Sequence, residues 1–208
     1  MSRLQRIHKN KKIKPTYWVL VDGNTEKWYL EQLRDSELSF SNFTIEPKLS
    51  EKVSLNKKIH WIIENAYDFD KIIWIIDFDD FLKQEQEKEG KIQELKTQIS
   101  HLRKKLSNVE ILFNVPCLEF WFLLHFIASN KFFPKCSDVE KILKKYIPDY
   151  EKTEKYFKNP RLNIFQRLKE KLSFAYKNAE KLGKFDFENY QMAKAEIYLL
   201  LEILQLVK

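Results

Sequence analysis

Short apolar runs alternate with amphipathic stretches through the first part of the chain. Ile72 to Ile76 is a run of five apolar residues, mostly β-branched, and predicts a strand buried on both faces of a parallel sheet. Thr16 to Val21 is equally rich in strand formers, and apolar spacings of three and four residues predict helices between the strands. The order strand, helix, strand, helix, strand is typical of an α/β fold with parallel pairing. We predict strands over 16–21, 43–48, 71–76 and 109–113 and helices over 26–34, 55–66, 84–106 and 117–128. The helix over 84–106 is expected to be broken or frayed near Gly90.

The pattern changes after Pro134, where only helical spacing follows. Pro148 and Pro160 separate the helices of this part, and Gly183 is a predicted helix C-cap. We therefore expect three parts: a basic tail over residues 1–15, an α/β core over 16–130, and a C-terminal all-helical region over 131–208 that packs on the core. The predicted helices of the last region cover 139–146, 151–157, 162–182 and 187–207.

Composition excludes two classes of nucleotide-binding site. The 208 residues include only three glycines, so neither a P-loop nor a glycine-rich dinucleotide fingerprint can be assembled. The net charge of +7 is concentrated at the N-terminus, because residues 1–15 contain six Lys and Arg and no acid, which leaves +1 for the rest. A basic tail suits contacts with nucleic-acid phosphates, although solvated termini have the same composition.

The sequence predicts a cytoplasmic protein without a membrane partner. No apolar segment follows the basic tail, so a secretory signal is not expected. The longest apolar stretch, residues 117–128, is about half as long as a bilayer requires and contains Glu119 and His125. Cys117 and Cys136 have no CxxC partner, and we expect them to be reduced thiols without a zinc-binding set around them.

Acidic side chains follow two of the predicted strands. Asp22 and Glu26 come after the first strand, and Asp77, Asp79 and Asp80 come after the third. Because the carboxyl ends of parallel strands meet at one edge of a sheet, the two groups can converge there. Carboxylate oxygens suit Mg²⁺ or Mn²⁺, and a metal held in this way activates water and neutralises charge on a phosphodiester. The pattern favours a metal site of the nuclease type.

Each acidic residue also has a structural explanation. Asp22 and Thr25 can shape a turn and cap the first helix. Glu26 is favoured at a helix N-terminus by the dipole, and Asp79 can cap the next element. An Asp-x-Asp sequence after a buried strand also occurs in haloacid-dehalogenase-like phosphatases, but Phe81 stands where those enzymes have Thr or Val. Two clusters at corresponding strand ends favour the metal site over these explanations.

Polar residues in the apolar and helical parts are further candidates. Glu119 lies in the first turn of the most apolar helix, where it can face the acidic cluster. His125, six positions later, forms no i, i+4 metal pair with it and is explained equally by a hydrogen-bonded core histidine. Basic and aromatic residues interleave around Tyr150 and Lys152, as in contacts with nucleic acids, although a charged outer helix face has the same composition.

Three segments together resemble the RloB-like proteins. Residues 21–26 (VDGNTE) resemble the EGxxTE element of that family, residues 76–80 (IDFDD) its DxDD element, and residues 115–126 (VPCLEFWFLLHF) its NPCFEhWhLLHF element. The segments occur in the family's order. Two positions differ from the family's pattern: Asp22 replaces a glutamate and is one methylene shorter, and Val115 replaces an asparagine.

The resemblance implies a Toprim-like parallel sheet flanked by helices and a role in bacterial phage defence beside an ATPase partner protein. By position, the first element supplies an acidic pair, Asp22 and Glu26. The second supplies the metal-binding aspartates, Asp77 and Asp79. The third supplies Glu119 and His125, and a later YxK element supplies Tyr150 and Lys152.

Two functions are therefore expected. The first is a nuclease, acting as an anti-phage, abortive-infection effector, in which Mg²⁺ or Mn²⁺ is held by Asp22, Glu26, Asp77 and Asp79 while Glu119 assists catalysis. The residues expected to contact the nucleic acid are His125, Tyr150 and Lys152. The alternative is a catalytically inactive module that binds nucleic acid or the ATPase partner. The sequence leaves open whether RNA, including tRNA, or DNA is the substrate.

Overall fold

The computed structural model describes residues 15–38, 44–49 and 54–206. The strands are β1 (Thr16–Val21), β2 (Thr44–Leu49), β3 (Lys71–Asp77), β4 (Val109–Val115) and β5 (Lys194–Ala195). The α-helices are α1 (Asn24–Leu33), α2 (Leu55–Asn65), α3 (Asp79–Glu87), α4 (Lys91–Lys105), α5 (Leu118–Leu124), α6 (Cys136–Leu143), α7 (Glu154–Phe157), α8 (Ile164–Lys169), α9 (Leu172–Leu182) and α10 (Ile197–Ile203). A π-helical turn at Arg34–Leu38 continues α1, and a 3-10 turn at Phe187–Asn189 precedes β5.

The strands form one sheet in the order β2, β1, β3, β4, β5. The first four are parallel, and β5 is antiparallel to β4. The chain adds β2 on one side of β1 and then β3 on the other, so the direction of strand addition reverses between β1 and β3. In open α/β sheets, such a switch point leaves a crevice outside the carboxyl ends of the strands.

Both faces of the sheet are covered by helices. Alternate side chains of a strand point to opposite faces, so Ile73 and Ile75 of β3 join a core with α1, α5 and the C-terminal helices. Ile72, Trp74 and Ile76 join a second core with α2 and α4. All five side chains are at most 1% exposed. Strand β3 is therefore buried on both faces, as its sequence predicts.

The predicted α/β class, with a parallel sheet and flanking helices, is confirmed. Strand β1 covers the predicted residues, and β4 continues two residues past the predicted end at Phe113. The first helix begins at Asn24, with Gly23 rather than Thr25 in the cap position. The predicted break near Gly90 in the helix over 84–106 is confirmed, since Gly90 adopts a left-handed φ of 95° between α3 and α4. That the sheet is Toprim-like stays a prediction.

The region after residue 130 differs from its prediction in two places. The predicted helix over 162–182 is divided into α8 and α9, and β5 lies inside the stretch 187–207 that was expected to be one helix. Helices α7 and α8 pack on α1, and α9 packs on α5, so this region shares the core of the sheet. The division into three parts stays a prediction, and the tail before Pro15 lies outside the described residues.

A membrane crossing requires a helix that is both long and apolar. Across the described ranges no helix meets both requirements.

Candidate active site

The two predicted acidic groups lie at the switch point between β1 and β3. Asp22 directly follows β1, and Glu26 lies in the first turn of α1. Asp77 is the last residue of β3, and Asp79 is the first residue of α3. Because β1 and β3 are parallel neighbours, both groups stand at the same edge of the sheet, as the sequence predicts.

Glu26 and Asp77 form the centre of this edge. Their carboxyl groups interact directly, and Glu26 is only 6% exposed. Burial raises the pKa of both groups, and the charge of Glu26 raises the pKa of Asp77 further. The protein alone therefore disfavours a negative charge on both carboxyl groups at once.

Asp77 is oriented by the neighbouring strand and by α5. Asn114, opposite Asp77 in β4, donates from Nδ2 to Asp77 Oδ1 at 3.0 Å. The backbone N–H of Leu118 donates to Oδ2, also at 3.0 Å. The backbone N–H of Asp79 donates to the Pro116 carbonyl at 3.0 Å, so the segment between β4 and α5 is tied to the end of β3. These bonds hold both oxygens of Asp77 in place.

Gly23 lets Glu26 turn back over the end of β1. A Cβ atom at position 23 would stand 2.5 Å from Glu26 Oε2, so a larger residue would displace the carboxyl group. Oε2 is buried and has no hydrogen-bond partner within the described ranges. A buried carboxylate oxygen that has no hydrogen-bond partner and lies beside a second carboxyl group can bind a cation.

Asp22 is held by a lysine. Lys58 of α2 forms a salt bridge with Asp22, and the two side chains are only 14% and 20% exposed. The Lys58 ammonium group also lies 6.0 Å from the centre of the Trp74 ring. Separating a partly buried ion pair is costly, so we expect Asp22 to enter a metal centre only if Lys58 finds another partner or if a water lies between Asp22 and the metal.

Asp79 lies on the solvent side of the edge. It lines an open cleft together with Asp80, Lys83 and Lys135. Burial raises the pKa of Asp79 to about 6, and the charge of Asp80 adds to the effect. Asp79 therefore faces the space from which a substrate can approach.

The four predicted metal ligands do not form one compact set. Glu26 and Asp77 are in contact, whereas Asp22 and Asp79 lie to either side of them. In the described part of the chain, no group of three that includes any of these four brings its ligand atoms within 4.8 Å of one another. The arrangement is a pair of carboxyl groups flanked by two aspartates.

Glu119 is held by the two residues of the predicted YxK element. Its side chain is 1% exposed, and Oε1 accepts hydrogen bonds from the Tyr150 hydroxyl at 2.7 Å and from Lys152 Nζ at 2.8 Å. Lys152 also forms a salt bridge with Glu140 at 2.8 Å. Burial lowers the pKa of Lys152, but the carboxylates of Glu119 and Glu140 outweigh burial and raise it. Contact of Tyr150 and Lys152 with a substrate stays a prediction.

Cys117 and Cys136 are joined by a disulfide, so the expectation of two reduced thiols is wrong for this structure. Cys117 occupies the cap position of α5, and Cys136 begins α6. That no zinc-binding set surrounds them stays a prediction, although Glu119 and the two sulfurs, all potential ligands, lie within 4.8 Å of one another. The sequence did not indicate this set, since it depends on how α5 packs against α6.

His125 lies at the opposite end of α5 from Glu119. Its Nδ1 is 2.9 Å from the Trp121 carbonyl, and its ring meets the edge of the Trp121 ring. Burial lowers the pKa of His125 to about 4, so the ring is neutral at pH 7 and Nδ1–H donates to the carbonyl. These are the properties of a core histidine. Contact of His125 with a substrate stays a prediction.

Three residues that shape the site were missed in the sequence. Asn114 and Lys58 hold the two aspartates that end β3 and follow β1, and Gly23 makes room for Glu26. A signal existed for Asn114, since a polar residue inside an apolar strand needs a partner. Lys58 had no such signal, because the packing of α2 beside β1 is decided by the tertiary structure.

Comparison with known proteins covers almost the whole described chain. A family model described as RloB-like protein matches residues 17–204. The chain belongs to the RloB-like protein family. Comparisons with curated proteins and with solved structures give no match. The RloB-like match extends from β1 through α10, so the acidic edge and the contacts of Glu119 both lie within the family region.

Proposed function

We propose that this RloB-like protein is a Mg²⁺- or Mn²⁺-dependent nuclease that hydrolyses phosphodiester bonds of RNA or DNA. The observation that carries the proposal is the contact between the carboxyl groups of Glu26, which is buried, and Asp77, which is partly buried, at the switch point of a parallel sheet. The family resemblance adds a biological setting: an effector of anti-phage, abortive-infection defence that works beside an ATPase partner protein.

A hard divalent cation fits the carboxyl pair. Mg²⁺ is commonly bound through one or two carboxylates together with waters and substrate phosphate oxygens, so two protein ligands suffice. Glu26 Oε2 is buried without a partner in the described ranges, and a cation would offset the repulsion between the carboxylates of Glu26 and Asp77. When bound, the metal would supply an activated water and would neutralise charge on the phosphodiester.

The protein's own groups would position that chemistry. Asn114 and the Leu118 N–H hold Asp77, so the carboxylate would keep its direction when a cation binds. Asp79 faces the open cleft and would contact the cation or its waters from the substrate side. Asp22, held by Lys58, would act through water.

Metal binding should be measured before cleavage. Mn²⁺ binding, followed by electron paramagnetic resonance or calorimetry, should be lost or at least about tenfold weaker in Asp77→Asn and in Glu26→Gln, because each variant removes one charged ligand. Asp68→Asn is the matched control: Asp68 is exposed and precedes β3 at the other end of the strand. Circular dichroism should show that all variants are folded.

Cleavage then tests the catalytic part of the proposal. Labelled RNA, tRNA and DNA should be incubated with Mg²⁺, with Mn²⁺ and with a chelator. We expect cleavage of at least one substrate that requires the metal and disappears in Asp77→Asn and Asp79→Asn but not in Asp68→Asn. Cleavage that persists in both site variants would reject the assignment of these residues. Metal binding without cleavage of any substrate would favour the inactive binding module.

A further inference from the structure

A second set of potential ligands lies beside the carboxyl pair, and it contains sulfur. Cys117, Glu119 and Cys136 are all buried, and their ligand atoms lie within 4.8 Å of one another. The two sulfurs are joined as a disulfide that links the start of α5 to the start of α6. Reduction of this bond would leave two thiols facing one carboxylate.

The two oxygens of Glu119 have different surroundings. Oε1 accepts hydrogen bonds from the Tyr150 hydroxyl and from Lys152. Oε2 faces Cys136 Sγ at 2.9 Å. A disulfide sulfur carries no hydrogen, so this contact gives Oε2 no hydrogen bond in the oxidised protein. An oxygen of the buried Glu119 carboxylate that has no hydrogen bond and faces a sulfur is the second observation that points to a cation at this place.

We propose that the reduced protein binds a thiophilic divalent ion, Zn²⁺ being the biological choice, through Cys117, Cys136 and Glu119. Two thiolates and a carboxylate are ligands that Zn²⁺ accepts, and three protein ligands leave a fourth position for water. The Tyr150 hydroxyl would orient the carboxylate through Oε1 while Oε2 binds the ion. Lys152 keeps Glu140 as a partner when Glu119 turns to the metal.

The site and the disulfide exclude each other. A dithiol reductant supplies two electrons and two protons to the disulfide, which becomes two thiols while the reductant becomes a cyclic disulfide. Both thiols release their protons to solvent when the ion binds. The disulfide links α6 to α5 covalently in the oxidised protein, and the bound ion would link the same two helices in the reduced protein. The site differs from the Mg²⁺ site of the proposed function in its ligand chemistry, so either can fail without the other.

Cobalt substitution tests this site directly. The full chain should be reduced with dithiothreitol, desalted without oxygen and titrated with Co²⁺. We expect one equivalent to bind with a thiolate-to-cobalt charge-transfer band in the near ultraviolet and with the visible bands of tetrahedral Co²⁺. Zn²⁺ should abolish both, whereas Mg²⁺ should not. The oxidised chain should give neither band, and because its sequence is unchanged this comparison does not depend on the folding of a variant.

Three variants separate the ligands from their neighbours. Cys136→Ser should abolish the charge-transfer band or leave a weak remnant, and Glu119→Gln should weaken Co²⁺ binding at least about tenfold. Asp138→Asn is the matched control, since Asp138 lies in the first turn of α6 and pairs with Lys141, and it should bind Co²⁺ like the parent chain. Reduced parent chain without the band, or a band that survives Cys136→Ser at full strength, would overturn the proposal.

Discussion

His125 links the stability of the fold to pH. The ring is 1% exposed and neutral, with Nδ1–H donating to the Trp121 carbonyl and Nε2 without a partner in the described ranges. Burial lowers its pKa from the ordinary value of 6.5 to about 4, and the nearby charge of Lys171 acts in the same direction. The unfolded chain therefore binds this proton more readily than the folded protein does between these two pH values.

The sign and size of the effect follow from this difference. Because the folded pKa is depressed, the stabilising contribution is fully present above pH 6.5 and is lost as the pH falls toward 4. One pKa unit corresponds to about 1.4 kcal/mol, so the loss across this window is about 3 kcal/mol. That is a large part of the roughly 5–15 kcal/mol that separates most folded domains from their unfolded chains.

Urea unfolding at a series of pH values measures the loss. His125→Asn is the informative variant, since its amide nitrogen stands near the position of Nδ1 and does not titrate. The variant loses packing at every pH, but its stability relative to the parent should improve by about 3 kcal/mol on going from pH 7 to pH 4. The other ionisable groups are the same in the parent chain and in the variant, so their titrations cancel in this difference.

His60→Asn is the control, because His60 is exposed and pairs with Glu64 on the surface of α2. Its stability relative to the parent should change little with pH. A His125→Asn difference that stays constant between pH 7 and pH 4 would refute the reasoning. If the same variant weakens nucleic-acid binding at pH 7 with unchanged stability, His125 is a substrate contact rather than a core histidine.

Three further predictions concern the site and the tail. Gly23→Ala places a methyl group against Glu26 Oε2 and should weaken Mn²⁺ binding at least about tenfold while the chain stays folded. Tyr150→Phe removes a hydrogen bond to the buried carboxylate of Glu119 and should lower the free energy of unfolding by about 1–3 kcal/mol, measured with urea at pH 7. Removal of residues 1–14 takes away six positive charges and should weaken nucleic-acid binding chiefly at low salt, with a smaller slope of log affinity against log salt.

Each of these predictions has a clear contrary outcome. Mn²⁺ affinity in Gly23→Ala equal to that of Asn24→Ala, an exposed neighbour, would show that Glu26 is not displaced or is not a ligand. Unchanged stability in Tyr150→Phe would mean that Lys152 alone satisfies Glu119. A truncated chain with the same affinity and salt slope as the full chain would make the tail a solvated terminus only.

The local sequence pattern was sufficient to predict the central strands and the edge of the sheet at which the acidic residues lie. The run Ile72 to Ile76 is apolar at every position, and only a strand covered on both faces buries all of them. Parallel pairing then brings the ends of β1 and β3 to one edge, so Asp22 and Asp77 stand at the same edge of the sheet. The order of motifs along the chain also agreed with the RloB-like family match.

Tertiary packing decided what each side chain in the site does. Whether Glu26 meets Asp77, and whether Asp22 turns to Lys58, depends on how α1 and α2 lie on the sheet, which no local pattern specifies. Burial also cannot be read from spacing. Tyr150 sits in a sequence that looks like an exposed charged face, yet it is 1% exposed, since the helices after residue 130 fold back onto α5.

The contact between the two cysteines also could not be predicted from the local sequence. Nineteen positions separate Cys117 from Cys136, and neither has a local partner in the sequence. Their meeting beside Glu119 follows from the contact between α5 and α6, which depends on long-range packing. The sequence by itself determined the sheet, its acidic edge and the residue types available for chemistry. Only the tertiary structure decided which of those residues touch, because contacts between distant elements are set by the burial of whole helix faces and not by neighbours along the chain.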